Sequence, residues 1–252
     1  MKIKYLWLIL WSLNTYAQFD FKYWAQARSY PSLGGSLNIN LGHNYLLWGD
    51  QQQGVFYGLW RNSIEASSTI VVSHYQAQTL FYPVSFFGIG AGRQVQNSDY
   101  QDYTYYDCQK IRCKGNLTKN YTLAKLALGY AKFISTFRYK YSLNEYDQNK
   151  EQLPVGEYDY ILQVSPNNEK QISRDYLLGI KHNQNVYGIA SEYVEFLISK
   201  KSYNMDLIIY QKNLNSFKML LGVGQLSTSD QKKGAIGIIR LTHEIAPSLS
   251  LF

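Results

Sequence analysis

Cysteine, methionine, histidine and proline are all scarce in this chain of 252 residues, at two, three, four and five. Charge is scarce too, at 17% of residues. Cys108 and Cys113 fall in one polar stretch, Cys-Gln-Lys-Ile-Arg-Cys. A metal site would need two more ligands, and no histidine lies nearby in sequence. In an oxidising compartment the same spacing predicts a local disulfide, worth ~2 kcal/mol on loop-closure arithmetic. The basic excess, 25 Lys and Arg against 18 Asp and Glu, gathers into no cluster or stripe, which excludes a nucleic-acid partner. No stretch approaches 18 consecutive apolar residues, so no transmembrane helix is expected. No motif calls for a cofactor.

What the chain does have is aromatic surface: 24 tyrosines, and 16% Phe, Trp and Tyr together. That mixture suits a boundary, or many half-buried strand faces. The first residues, 1–17, read as an export signal. Lys2 and Lys4 form a basic start, an apolar core runs from Tyr5 to Leu13, and Thr15 and Ala17 stand at the positions a signal peptidase reads. That core is too short to span a bilayer. Residues 18–252 then make one domain, since single β-rich domains of this size are common.

The period along the chain is two. Phe19, Phe21, Tyr23, Ala25 and Ala27 alternate with Asp20, Lys22, Trp24, Gln26 and Arg28. Such alternation specifies a strand with one apolar and one polar face. Similar runs cover 36–44, 133–141 and 217–223. Weaker ones cover 54–66, 69–81, 86–95, 121–130, 172–182, 186–198, 205–212 and 234–244 onward. No amphipathic helical window competes. Short connections (82–85, 183–185, 213–215) alternate with long polar ones (96–119, 143–171, 227–233), which is the transmembrane-barrel pattern. The runs number twelve, and an even count returns the chain to the rim where it began.

A soluble β-sandwich also alternates, but seals a core with its apolar faces. Against it stand runs of about ten residues, as a tilted membrane-spanning strand needs. Tyr and Trp also sit near strand ends, like aromatic girdles. The export signal, alternating runs, polar loops and terminal Phe252 together resemble a Gram-negative outer-membrane β-barrel. The resemblance is to the class and covers the whole mature chain. It implies an all-β, antiparallel up-and-down barrel of about 12 strands, with 10 or 14 as alternatives. It also implies a cell-outer-membrane location, with lipid, lipopolysaccharide and the barrel-assembly machinery as partners. One feature departs from the class. At Phe252 and every second residue before it, where apolar residues are usual, stand Ser250, Ser248 and Ala246, and Pro247 interrupts the segment. The last strand is therefore either long and bulged or ends near Glu244 with a tail behind it.

An Arg or Lys on the lipid face at mid-membrane costs about 2–4 kcal/mol, and that penalty fixes parity. By this rule Arg61, Arg138, Arg240, Lys22 and Lys218 point inward, with Glu65, Asp20 and Lys140 sharing the inward parity of their strands. Arg240 fits less well, because Ile236 and Ile238 turn inward with it. The expected lumen is mixed in sign with a cationic excess. Those charges either pair across a filled interior or line a water-filled one that selects solutes.

Three functions compete: a narrow channel for passive diffusion of ions or small solutes, a closed structural or adhesion barrel working through its loops, and a barrel hydrolase. For the second, the Tyr- and Asp-rich loop 96–119 with its cysteines suits recognition. The acidic segment 143–159 reads as a solvated loop. For the third, neither Ser73-His74 nor His243-Glu244 can form a dyad, because strand neighbours point to opposite faces. Nothing marks a catalytic residue. Gly88-Ile89-Gly90-Ala91-Gly92 lacks the helix a dinucleotide site needs. On a strand, those three glycines share one face and leave room for a bulky neighbour.

Overall fold

The computed structural model describes residues 17–30, 34–50, 56–69, 72–98, 107–147, 153–157, 162–165 and 168–246. The expected export signal up to Tyr16, and the terminal segment from Pro247, lie outside the described residues. Each alternating run becomes one strand of a closed antiparallel barrel. In chain order the first seven are β1 (Ala17–Arg28), β2 (Gly34–Trp48), β3 (Gly58–Ser68), β4 (Val72–Val84), β5 (Phe87–Ser98), β6 (Gly115–Tyr130) and β7 (Phe133–Tyr146). The last five are β10 (Glu169–His182), β11 (Asn185–Phe196), β12 (Lys201–Leu214), β13 (Phe217–Thr228) and β14 (Lys233–Ala246). Two short strands, β8 (Val155–Glu157) and β9 (Leu162–Val164), pair with each other inside the β7–β10 connection. β14 closes on β1, so the barrel has no free edge. Opposite Phe21 and Lys22 the register shifts, which puts the expected bulge in the last strand, while the segment behind Ala246 lies outside the described residues.

The termini of the barrel share a rim with tight turns at 85–86, 131–132, 183–184 and 215–216, and with the 49–57 connection. Asn183 and Asn215 take left-handed φ of 54° and 48°, a region asparagine tolerates better than most side chains. The opposite rim carries the two long connections, 99–114 and 147–168. The third expected long loop, 227–233, is instead a tight turn. β13 and β14 extend into it, and Gln231 N–H bonds Thr228 O at 3.0 Å.

The outward face is an apolar belt. Leu37, Ile39 and Ile64 are exposed, as are Ile89, Leu178, Ile208 and Val223. Surface of this kind meets lipid without cost and would aggregate in water. Aromatics edge the belt. Near the short-turn rim His43 stacks on Phe19 (4.4 Å) and edges Tyr45 (4.3 Å), and the Trp60 indole N–H donates to Thr79 Oγ1 at 2.7 Å.

The long connections do not all stay in solvent. Cys108 and Cys113 are disulfide-bonded. Arg112 N–H then donates to Pro154 O (2.8 Å), and Gly156 N–H to Arg112 O (3.0 Å), tying the disulfide segment to β8. Asp107, outside the barrel, is held below the usual carboxylate range by the Gln109 backbone N–H and by Lys110. Ile111, Cys113, Val155, Leu162 and Val164 form an apolar cap packed on Val194, Phe196, Tyr203, Leu226 and Ile236, inward residues of β11–β14. This corrects the reading of 143–159 as a solvated loop: its apolar islands, Val155 and the nearby Leu162 and Val164, are buried. Much of the Tyr- and Asp-rich part of loop 96–119 lies outside the described residues.

Candidate functional site

The register places Asp20, Lys22, Arg61, Glu65, Arg138, Lys140, Lys218 and Arg240 on the inward face, in three groups rather than one. The first is a strut. Arg61 Nε and Nη2 donate to the two Asp20 oxygens at 3.0 and 2.7 Å. Asn44 Nδ2 donates to Asp20 at 2.6 Å, and Arg61 also donates to Asn40 Oδ1 at 2.7 Å. Both charged side chains are buried. Gly42, between them in the register, leaves the space: a Cβ there would collide with both.

The second group spans the middle of the barrel. Arg138 pairs with Asp175 across β7 and β10, and Glu192 follows Asp175 on β11. Lys125 precedes Arg138 on β6. Arg240 Nε donates to Gln26 Oε1 at 2.8 Å and lies within the fields of Arg138, Glu65 and Glu192. Those partners stand on different walls, so long side chains converge toward the centre. Lys140 lies over the Tyr121 ring at 4.0 Å. Lys218 and Glu244, near the short-turn rim, pair at 2.8 Å.

The sequence reading did not name Lys125, Asp175 or Glu192 as lumenal. The parity rule applied to Lys125, a mid-strand cation, would have found it. The same rule fails for Arg93 and Arg174, which point outward. Outward positions from these two toward the long-loop rim are mixed, with Asn97, Asn120, Lys170 and Glu195 among Val95, Leu143 and Ile172. Ile89, Leu128, Leu178 and Ile180 lie on the other side. Both arginines thus mark the edge of the belt, where the lipid penalty fades, and Arg174 rests against the Tyr193 ring at 5.7 Å.

The interior is unevenly filled. Leu59, Leu80, Tyr82, Tyr121 and Leu123 cluster on the β3–β6 wall. The glycines of β5 make room for them: a Cβ on Gly88 would meet the Tyr82 ring, and one on Gly92 the Tyr121 phenol. On the β2–β5 wall a cavity of about 210 Å³ is lined by Asn38, Glu65, Ser67, His74, Gln76 and Gln94. It shares Ser67 and His74 with one of about 120 Å³ that reaches Arg28 and Thr69 at the long-loop rim.

Among the described residues no histidine ring is hydrogen-bonded to a hydroxyl, although His74 stands opposite Ser67 in the register. His43 and His243 face outward among aromatics, and His182 ends β10. His74 Nδ1 bonds Gln94 at 2.9 Å, while Ser73 faces outward toward Ser68. No group of three potential metal ligands occurs among the described residues.

A closed barrel with an apolar exterior, aromatic edges and a charged interior is an outer-membrane β-barrel of porin-like architecture. The chain resembles the KdgM porin at 9% identity and a TM-score of 0.49, covering 90% of this chain and 99% of that one. It resembles the NanC porin at 9% and 0.48, covering 88% and 97%. A loop-deletion mutant of OmpT, an outer membrane protein of Vibrio cholerae, matches at 8% and 0.44, covering 91% and 99%. No family model and no curated sequence matches. At these identities the likenesses say nothing of what passes through this barrel.

Proposed function

We propose that this barrel is a narrow, off-axis channel for passive diffusion of ions and small polar solutes. The observation that carries the reading is that some inward charges are open to solvent while others are buried. The Arg138 side chain is 52% exposed and that of Lys218 45%, although both point into the barrel. In a filled interior such groups would be buried, as Asp20 and Arg61 are. On this reading the way in runs down the β1–β5 wall by the two neighbouring cavities, past Lys22, Arg138 and Arg240, and out by Lys218 and Glu244. Cations outnumber acids among the named lumenal groups, so fixed charge favours anions over cations. Outward Arg93 and Arg174 are suited to phosphate-bearing lipid headgroups at the belt edge.

Purified protein in a planar bilayer should give discrete conductance steps with anion preference. Arg138→Glu should shift that preference toward cations. Absence of conductance at every voltage would sink the proposal. The loop-centred alternative is weakened by one observation: the described part of the disulfide segment spends its apolar residues packing inside the barrel.

A further inference from the structure

We propose that the upper lumen holds a binding subsite for a neutral, polyhydroxylated solute, a sugar ring, on the β2–β5 wall. The inference rests on the channel reading for its purpose, but on its own observations for the site. Across four adjacent strands the inward side chains form two neighbouring rows. One row is Asn40, Glu65, Gln76 and Gln94, and the other is Asn38, Ser67, His74 and Gln96. No aliphatic side chain interrupts the grid. The cavity of about 210 Å³ opens against six of these eight positions, and four primary amides or hydroxyls border it.

The chemistry of that wall selects its ligand. A primary amide offers two donors and an acceptor, and a hydroxyl offers one donor with two acceptor lone pairs. A ligand bearing several adjacent hydroxyls presents the same mixture, so each group on the wall can be matched. An ion would need a field of one sign. Here the one carboxylate, Glu65, already accepts from Asn40 Nδ2 at 3.1 Å and lies in the field of Lys22. An apolar solute would strip water from amides without replacing its hydrogen bonds, at a cost for each. Trp24 continues the second row beside Asn38, which takes Trp24 O as one acceptor at 3.4 Å. Its half-buried ring stands beside the row, with Lys22 Nζ 5.7 Å from the ring centre. Gln96 ends that row, with a buried carbonyl oxygen that meets no protein donor. The opposite wall, β11–β14, is aliphatic and lies under the cap, so the amide wall is a local feature and not the general character of the lumen.

The test uses the full barrel in lauryldimethylamine oxide micelles, whose headgroup carries no sugar, with lactose as probe and triethylene glycol as control. Saturation-transfer NMR should show transfer to lactose above the control. Q76L/Q94L should weaken lactose binding at least about tenfold, the loss expected from one or two buried hydrogen bonds. If that double variant does not fold, Asn38→Ala takes its place with the same expected direction. Transfer to lactose no greater than to triethylene glycol, or unchanged affinity in the folded variant, overturns the site. Bilayer recordings separate the two readings. Conductance without lactose binding refutes the subsite alone, and lactose binding without conductance refutes the channel alone.

Discussion

The buried strut between β1 and β3 gives the sharpest energetic prediction. The Asp20 carboxylate accepts from Arg61 Nε (3.0 Å), Arg61 Nη2 (2.7 Å) and Asn44 Nδ2 (2.6 Å), and the two charged side chains are only 2% and 8% exposed. Asp20→Ala leaves the guanidinium with Asn40 Oδ1 as its one remaining partner in this group, in a place with almost no water. Stranding a buried charge in this way costs about 3–5 kcal/mol. Arg61→Leu strands the carboxylate at a similar cost. Removing both should cost less than the two singles together, by about 2 kcal/mol or more, since no charge is then left alone. Lys218→Ala is the control. Its pair with Glu244 is 45% and 28% exposed, so its loss should stay below about 1 kcal/mol. The assay is reversible urea unfolding in phospholipid vesicles, followed by tryptophan fluorescence and by heat-modifiable gel mobility. A cost for Asp20→Ala under about 1 kcal/mol, or strict additivity in the double variant, would refute the strut.

Three more expectations rest on separate parts of the wall. Ile64→Arg, outward in the middle of the belt, should destabilise the barrel by about 2–4 kcal/mol, whereas Arg174→Leu at the belt edge should change vesicle-embedded stability by less than about 1 kcal/mol in the same assay. Gly92→Val should drive a side chain into the Tyr121 phenol and the Ala77 carbonyl, costing about 1–3 kcal/mol and lowering the urea midpoint. Replacing Cys108 and Cys113 by serine should remove about 2 kcal/mol of local constraint. Proteolysis within 107–114 should then become faster, and single-channel conductance should rise rather than vanish.

Period-two alternation made the barrel legible because lipid imposes it on every strand, and twelve runs became twelve strands. Boundaries were less legible. Strands here overrun the membrane, so β6 begins at Gly115 where the pattern suggested 121, and the 227–233 loop shrank to a turn. The cap was illegible for a different reason. β8 and β9 are three residues each, too short for any period to register, and what marks them is only aliphatic islands in acidic surroundings. Among the lumenal groups, cations declared themselves through the lipid penalty. Asp175 and Glu192 did not, because acids entered that reading only as strand-mates of an inward cation. Arg93 and Arg174 show the limit of the rule: it needs depth as well as parity, and depth comes only from the assembled belt.

Ile236 and Ile238, the residues that sat badly with an inward Arg240, explain why the lumen is lopsided. Along β14 the inward face changes from Ile236 and Ile238 near the long-loop rim to Arg240, Thr242 and Glu244 below. β12 does the same, from Tyr203, Leu207 and Ile209 to Gln211. In a wet pore that upper aliphatic wall would stand exposed, so burying it under Ile111, Val155, Leu162 and Val164 is favourable. The β2–β5 wall is mostly polar toward its rim: Val72 is buried there and Ser98 Oγ donates to Cys113 O at 2.9 Å, but the apolar cluster of the cap does not extend onto it. The same inward chemistry therefore sets where the apolar side of the loops settles, over β11–β14, and leaves the polar β2–β5 wall to the way that the channel reading proposes.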